Sequence, residues 1–251
     1  MRVKLSGIET ILFDHDKFVC DNKLSIQKYP EGMVVLRGWM LSDIQYRKLY
    51  VSLYKKGGEL INNPVQYTHC HYFPNVLQDI KKFTVDTKWW EDKLMCDELL
   101  ETIHKDIDKD YIIKDFVKSE KGTDLFRLNK DLSFDEFKKF IYDFKDARQP
   151  LFEHGYVLKE FVNIENEYRV FVLNNEIISV EQNSNQLEET CKPDDEFMNN
   201  VKSRITRNKF YTIDFAQVDG KWIVMECGDG QVSGLSPKQN EFEFYKNFIN
   251  E

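Results

Sequence analysis

Residues 211–231 read Tyr211-Thr212-Ile213-Asp214-Phe215-Ala216-Gln217-Val218-Asp219-Gly220-Lys221-Trp222-Ile223-Val224-Met225-Glu226-Cys227-Gly228-Asp229-Gly230-Gln231. Two runs rich in aromatic and β-branched residues flank Asp219-Gly220, a dipeptide suited to a tight hairpin. Ahead of them, Glu167-Tyr168-Arg169-Val170-Phe171-Val172 forms a third strand-like run. A strand sends alternate side chains to opposite faces, so Glu167, Arg169 and Phe171 share one face and Tyr168, Val170 and Val172 the other. Ionisable groups are therefore set among apolar residues on an ordered sheet.

The hairpin admits two registers. A two-residue turn pairs Val218 with Lys221 and sets Asp214 opposite Met225, which leaves Asp214 and Glu226 on opposite faces. A three-residue loop with Gly220 left-handed pairs Gln217 with Lys221 and sets Asp214 opposite Val224. Asp214 and Glu226 are then diagonal neighbours on one face, about 7 Å apart at the backbone. Two carboxylates so placed suit a shared divalent cation; the same pattern also fits a solvated acidic face.

Outward from this block, Tyr156 to Val162 reads as a strand, and Ser133-Phe134-Asp135-Glu136 is a capping box that opens a helix to about Arg148. Ser236-Pro237-Lys238-Gln239 opens a C-terminal helix in the same way. Residues 91–108 read as helical, and Tyr111 to Lys118 as a strand with Lys114 and Lys118 on one face. The loop Ser119 to Asp124 then offers backbone N–H groups to phosphates, or is a plain hairpin. Toward the N-terminus, Met33 to Arg37 reads as a buried strand. Ser42 caps a helix striped by Tyr46, Leu49, Tyr50, Leu53 and Tyr54, Gly57-Gly58 ends it, and Glu59 to Asn62 is a second, parallel strand. Ligands favour the carboxyl ends of such strands, which singles out Arg37, Gly38, Asn62 and Asn63; Arg37 suits phosphate or carboxylate, or the capping of carbonyls. Val65 to Trp90 reads as a linking segment. His69 and His71, two apart on a strand with no third ligand, argue against zinc.

The chain has 251 residues, 41% hydrophobic and 14% aromatic, enough for one or two cored domains. A net charge of −8 argues against a nucleic-acid coat or a membrane-surface protein. The five cysteines are odd in number and form no Cys-x-x-Cys pair, which fits reduced thiols in a cytoplasmic protein. No run approaches the roughly 20 apolar residues of a membrane span, and no targeting segment is evident.

In this order and spacing the residues from 96 to 251 resemble the ATP-grasp superfamily, particularly its small members found in bacteria and their viruses. The resemblance implies an α+β chain: an ATP-grasp fold of two α+β lobes sandwiching ATP over residues 96–251, behind a βαβ-containing α/β pre-domain over residues 1–95. It implies that Lys114, with Lys118 as second candidate, contacts the nucleotide phosphates. Lys159-Glu160-Phe161-Val162 looks like the inter-lobe hinge whose backbone bonds adenine. Glu167-x-Arg169 looks like the motif whose arginine reaches phosphate or the reacting carboxylate. Asp214 and Glu226 match the two acids that hold Mg2+. Most members carry an Asn two residues after that Glu; Gly228 stands here, so Asp229, Gln231 or water would complete the coordination.

Such equipment suits phosphoryl transfer, which needs charge neutralisation more than covalent help. The resemblance implies an ATP- and Mg2+-dependent carboxylate–amine ligase acting on an amino acid, a peptide or a protein. Arg37, Gln231 and Ser233 are the candidates for contacting that acceptor. A distant likeness to a eukaryotic ATP-grasp assembly factor implies a second class, a non-catalytic ATP-binding chaperone. A third is nucleic-acid end-joining or nucleotidyl transfer, against which the acidic charge counts.

Overall fold

In the computed structural model, residues 7–91, 96–105, 109–117, 127–128, 131–148, 154–182 and 190–249 are described. Lys118 and the loop Ser119 to Asp124 lie outside them. The chain forms two compact units, one made of residues 1–71 and 165–251, the other of residues 72–164.

In the first unit, Asp14 caps α1 (His15–Asp21) and β1 (Gly32–Val34) follows. Ser42 and Gln45 close a capping box at the start of α2 (Asp43–Tyr54). Gly57, at φ 93°, allows the reversal into β2 (Gly58–Leu60), which pairs parallel with β1. A βαβ arrangement is thus observed, but β1 is shorter than the expected Met33–Arg37 strand and is not buried, Met33 being 47% exposed. Tyr46, Leu49 and Leu53 are buried, but Tyr54, in the last turn of α2, is 62% exposed. His69-Cys70-His71 lies not on a strand but in α3 (Pro64–His71). The reason is local: Pro64 sits at the first helical position, and Asn63 Oδ1 accepts from the N–H groups of Val65 and Gln66.

The second unit contains α4 (Phe73–Ile80), β3 (Thr87–Glu91), α5 (Cys96–Lys105), β4 (Tyr111–Asp115), β5 (Arg127–Leu128), α6 (Phe134–Arg148) and β6 (Gly155–Glu160). Its antiparallel sheet runs β3-β6-β4-β5. Tyr111, Ile113, Tyr156 and Leu158 pack against Leu99 and Ile103 of α5 and Phe137, Ile141 and Phe144 of α6. The helices therefore cover one face of this sheet. The Ser133–Glu136 capping box forms as expected.

Back in the first unit, β7 (Asn166–Leu173), β8 (Glu176–Gln182), α7 (Asp195–Lys202), β9 (Phe210–Val218), β10 (Lys221–Asp229) and α8 (Glu241–Lys246) complete the chain. The strands make an antiparallel sheet in the order β10-β9-β7-β8. Phe171, Leu173 and Phe210 pack with Ile61 and Phe244 at one end of it. The C-terminal helix starts later than expected. Ser236 donates to the Gln182 carbonyl, 2.7 Å away, and Asn240 caps α8 through the N–H groups of Phe242 and Glu243.

Candidate functional site

Asp219 and Gly220 form a two-residue turn, both with positive φ (48° and 72°), and Val218 pairs with Lys221. That register alone would set Asp214 opposite Met225. Instead the pairing shifts between Val224 and Glu226: Val224 faces Phe215 and Glu226 faces Asp214. Met225 is the extra residue of a β-bulge. Neither expected register is the observed one. The positive φ of Gly220 did not separate them, since both turns need it. The bulge brings Asp214 and Glu226 directly opposite on one face, their Cβ atoms about 5 Å apart.

Across β9, Arg169 of β7 stands opposite Asp214, and across β7, Glu181 of β8 stands opposite Arg169. Glu181, Arg169, Asp214 and Glu226 thus form one row across four strands. Arg169 Nε donates to Asp214 Oδ1 at 2.8 Å and Nη2 to Oδ2 at 2.6 Å. Its third nitrogen, Nη1, donates to the Gly234 carbonyl at 3.0 Å. The Asp214 side chain is 6% exposed and that of Arg169 28%. Burial works against the guanidinium charge. The hydrogen bonds and charge of Asp214, with Glu226 and Glu167 beyond it, outweigh burial and hold the Arg169 pKa above its usual value. Glu167 lies on the same face, opposite Ala216. Oxygen donors alone suit a hard cation such as Mg2+, which would compete with Arg169 for Asp214. Among the described residues no cluster of three or more His, Cys, Asp or Glu side chains is placed to hold a metal.

The residues expected to complete the coordination point elsewhere. Asp229 pairs with Tyr211, so its side chain leaves the sheet on the face opposite to Asp214 and Glu226. It accepts from Asn62 Nδ2 at 2.6 Å and from Gln231 N at 3.0 Å and Nε2 at 3.2 Å. Burial pushes this carboxyl up to about 7, against the hydrogen bonds from Asn62 and Gln231 and the charge of Arg37. Gln231 is fully buried: Oε1 accepts from Leu36 N, and Nε2 donates to the Tyr46 hydroxyl. Tyr46 in turn donates to the Asn62 carbonyl. Asp229 and Gln231 thus join the carboxyl ends of β1 and β2 to the end of β10 and are not brought to the acid pair.

Arg37, at the carboxyl end of β1, caps carbonyls. It donates to the oxygens of Gly230 (2.5 Å), Gln231 (3.2 Å) and Ser233 (2.9 Å), and to the Tyr245 hydroxyl. Ser233 donates to the Asp229 carbonyl at 2.9 Å, with Thr212 Oγ1 also 2.9 Å away. Thr212 and Glu181 went unnoticed in the sequence. Alternation from Asp214 places Thr212 on the acid face, whereas Glu181 needs the β7–β8 register.

In the second unit, Lys114 is opposite Val157 and Lys159 opposite Ile112, so both lysines share the face turned away from α5 and α6. The ring of Phe73 lies under both ammonium groups, 5.9 Å from Lys114 Nζ and 4.6 Å from Lys159 Nζ. Lys159 is 1% exposed. Beyond it, the Glu160 N–H donates to the Asp86 carbonyl and the Phe161 N–H to that of Asp110. Val162 is half-buried just past the end of β6.

A profile for the ATP-grasp domain, R2K clade family 3, matches residues 63–248. Among solved structures, the ATP-grasp ligase PsnB complexed with minimal precursor, Mg and ADP is similar, with TM-score 0.55, 15% identity, and coverage of 81% of this chain and 66% of that one. D-cycloserine synthetase DcsG aligns with TM-score 0.62 and 10% identity over 87% of this chain and 83% of that one. N5-carboxyaminoimidazole synthetase from Staphylococcus aureus, complexed with ADP, aligns with TM-score 0.54 and 13% identity over 86% and 56%. The chain therefore spans less than two thirds of PsnB. At these identities the likenesses establish the fold. No curated protein matches the sequence.

Proposed function

The chain belongs to family 3 of the R2K clade of ATP-grasp domains, and on that premise we propose that it is an ATP-dependent, ADP-forming carboxylate–amine ligase. As domains we propose residues 1–95 as a pre-domain and 96–251 as the ATP-grasp domain; the profile match begins earlier, at residue 63, and the compact units divide elsewhere. The observation that carries the functional reading is the placement of Arg169, Asp214 and Glu226 side by side on one sheet face.

In this reading Asp214 and Glu226 hold Mg2+ on the triphosphate, and the metal supplies charge neutralisation. Lys114 and Lys159, with Lys118, meet phosphate oxygens, and the hinge at Glu160, Phe161 and Val162 takes the adenine through backbone groups other than the Glu160 and Phe161 N–H, which are bonded to Asp86 and Asp110. Arg169, held now by Asp214, supplies its charge to the transferring phosphoryl group or the acceptor carboxylate. The acceptor carboxylate takes the γ-phosphoryl group and ADP leaves; an amine then displaces phosphate. The solved PsnB structure contains a minimal precursor, and DcsG is by its name a D-cycloserine synthetase. They motivate an amino acid, a peptide or a protein as the acceptor class. Arg37 and Gln231 act on it indirectly, by shaping the loop that carries Ser233.

The test is the nucleotide product formed from MgATP in the presence of a small-molecule and peptide extract of the cell of origin. ADP from wild type and none from Asp214→Asn, with far-UV circular dichroism of wild-type shape, is the expected result. Equal ADP from both proteins overturns the assignment, and AMP would point to nucleotidyl transfer. A non-catalytic ATP-binding chaperone is the second reading. It is favoured by Gly228, which offers no ligating side chain, and by the engagement of both Asp214 oxygens with Arg169. It predicts bound ATP, no turnover and a protein partner that copurifies.

A further inference from the structure

We propose that the Ser233 hydroxyl, positioned by Thr212, is a third protein oxygen of the cation site at Asp214 and Glu226, replacing a ligating side chain at position 228. The proposal rests on the reading of those two acids as the metal pair. Gly228 lies two residues beyond Glu226 on β10, on the same face, and pairs with Thr212, which lies two residues before Asp214 on β9. The four positions form one block, with both acids in one row and Thr212 and Gly228 in the next.

The space above Gly228 is filled by hydroxyls. A Cβ placed there would stand 2.9 Å from Ser233 Oγ and 3.0 Å from Thr212 Oγ1. In an asparagine the amide oxygen stands about 2.4 Å from its own Cβ by standard bond lengths. Ser233 Oγ thus lies within about 0.5 Å of the radius at which an amide oxygen at 228 would be carried. The missing side chain and the hydroxyl pair are one feature, because a residue larger than glycine would have to displace Ser233 Oγ and would crowd Thr212 Oγ1.

Ser233 is held in place from three sides. Its hydroxyl donates to the Asp229 carbonyl, Thr212 Oγ1 lies within hydrogen-bond distance of it, and Arg37 Nη2 binds its carbonyl. A hydroxyl has one proton and two lone pairs. With its proton on Asp229 and one lone pair facing Thr212, Ser233 Oγ keeps a lone pair for a cation. A neutral, hard oxygen beside two carboxylates fits the demands of Mg2+ or Mn2+.

The test is the affinity for Mn2+ and for Cd2+, each in the presence of ADP, followed by calorimetry and by the Mn2+ paramagnetic resonance signal. Ser233→Ala is expected to weaken Mn2+ by about ten-fold. Ser233→Cys, which offers a soft sulfur, is expected to weaken Mn2+ and strengthen Cd2+. A loss of Mn2+ affinity in Ser233→Cys with no gain in Cd2+ means a merely structural hydroxyl and overturns the proposal, as does unchanged Mn2+ affinity in Ser233→Ala. Should Ser233→Ala fail to fold, the cysteine variant and Gly228→Asn/Ser233→Ala, expected to recover Mn2+ binding, decide the matter. Asp214→Asn separates the two levels: if it leaves wild-type Mn2+ binding intact, the acid pair is not the metal site and both readings fall together.

Discussion

Along one row of the sheet β10-β9-β7-β8, charges alternate through Glu181, Arg169 and Asp214 until Glu226 sets a second carboxylate beside the first. In the sheet β3-β6-β4-β5, two ammonium groups of like sign instead share one face over a single aromatic ring. The first arrangement is cross-strand pairing, in which each bond depends on register; the break in alternation is where the cation site is proposed. The second is a pair of like charges brought to one face of the sheet by register. The first unit thus carries the row with Asp214 and Glu226, and the second carries the lysine pair.

Three perturbations would break or sharpen this contrast. The largest expected effect concerns Asp229, whose folded-state pKa is raised to about 7 from 3.8. A raised carboxyl pKa means that the folded state holds the proton more tightly, so stability falls as pH rises from about 4 to about 7 and is level above. Over that window the loss is about 4 kcal/mol. The difference in denaturation midpoint between wild type and Asp229→Asn, followed against pH, reads it. A difference that does not change with pH would show that the buried network is not strained by this charge.

Next comes Arg169→Ala, which leaves Asp214 buried beside Glu226 without its cation. Removing one partner of such a pair costs about 3 kcal/mol in urea denaturation at pH 7. The loss should shrink in the Asp214→Asn background, because the two residues act through one bond. The smallest effect is in the second unit. Lys159→Met and Lys114→Met should each weaken ADP binding by about 2 kcal/mol, roughly 30-fold, as expected for hydrogen bonds to a charged group. The melting temperature is the control. If either lysine proves to matter more for stability than for nucleotide affinity, the contrast between the two sheets fails.

Much of this was legible in the sequence, for identifiable reasons. Ser42 with Gln45 and Ser133 with Glu136 satisfy backbone groups within a few residues of themselves, so local chemistry decides where those helices begin. Asn63-Pro64 carries the same kind of signal for α3, against the strand-like aromatic and histidine pattern that follows. Ser236 shows the opposite case. Its motif is that of a helix start, yet its hydroxyl bonds Gln182, 54 residues away, and the helix waits for Asn240. Arg37 and Asp229 have the residue types of a ligand site, and both instead hold the chain's own backbone and side chains.

By itself the sequence pointed to strands β4, β6, β7, β9 and β10 and their alternating faces, to the candidate acids and lysines, and to the family, because alternation, caps and motif spacing act over short range; β3, β5, β8 and the order of strands in either four-stranded sheet were not legible in it. Tertiary structure alone decided that Met225 bulges, that Asp214 therefore faces Glu226, and that hydroxyls from β9 and from the loop after β10 meet over Gly228. A bulge changes pairing without changing the turn, and only the partner strand registers the difference. Whether a polar side chain serves a ligand or the chain itself likewise depends on which groups the fold brings within about 3 Å of it.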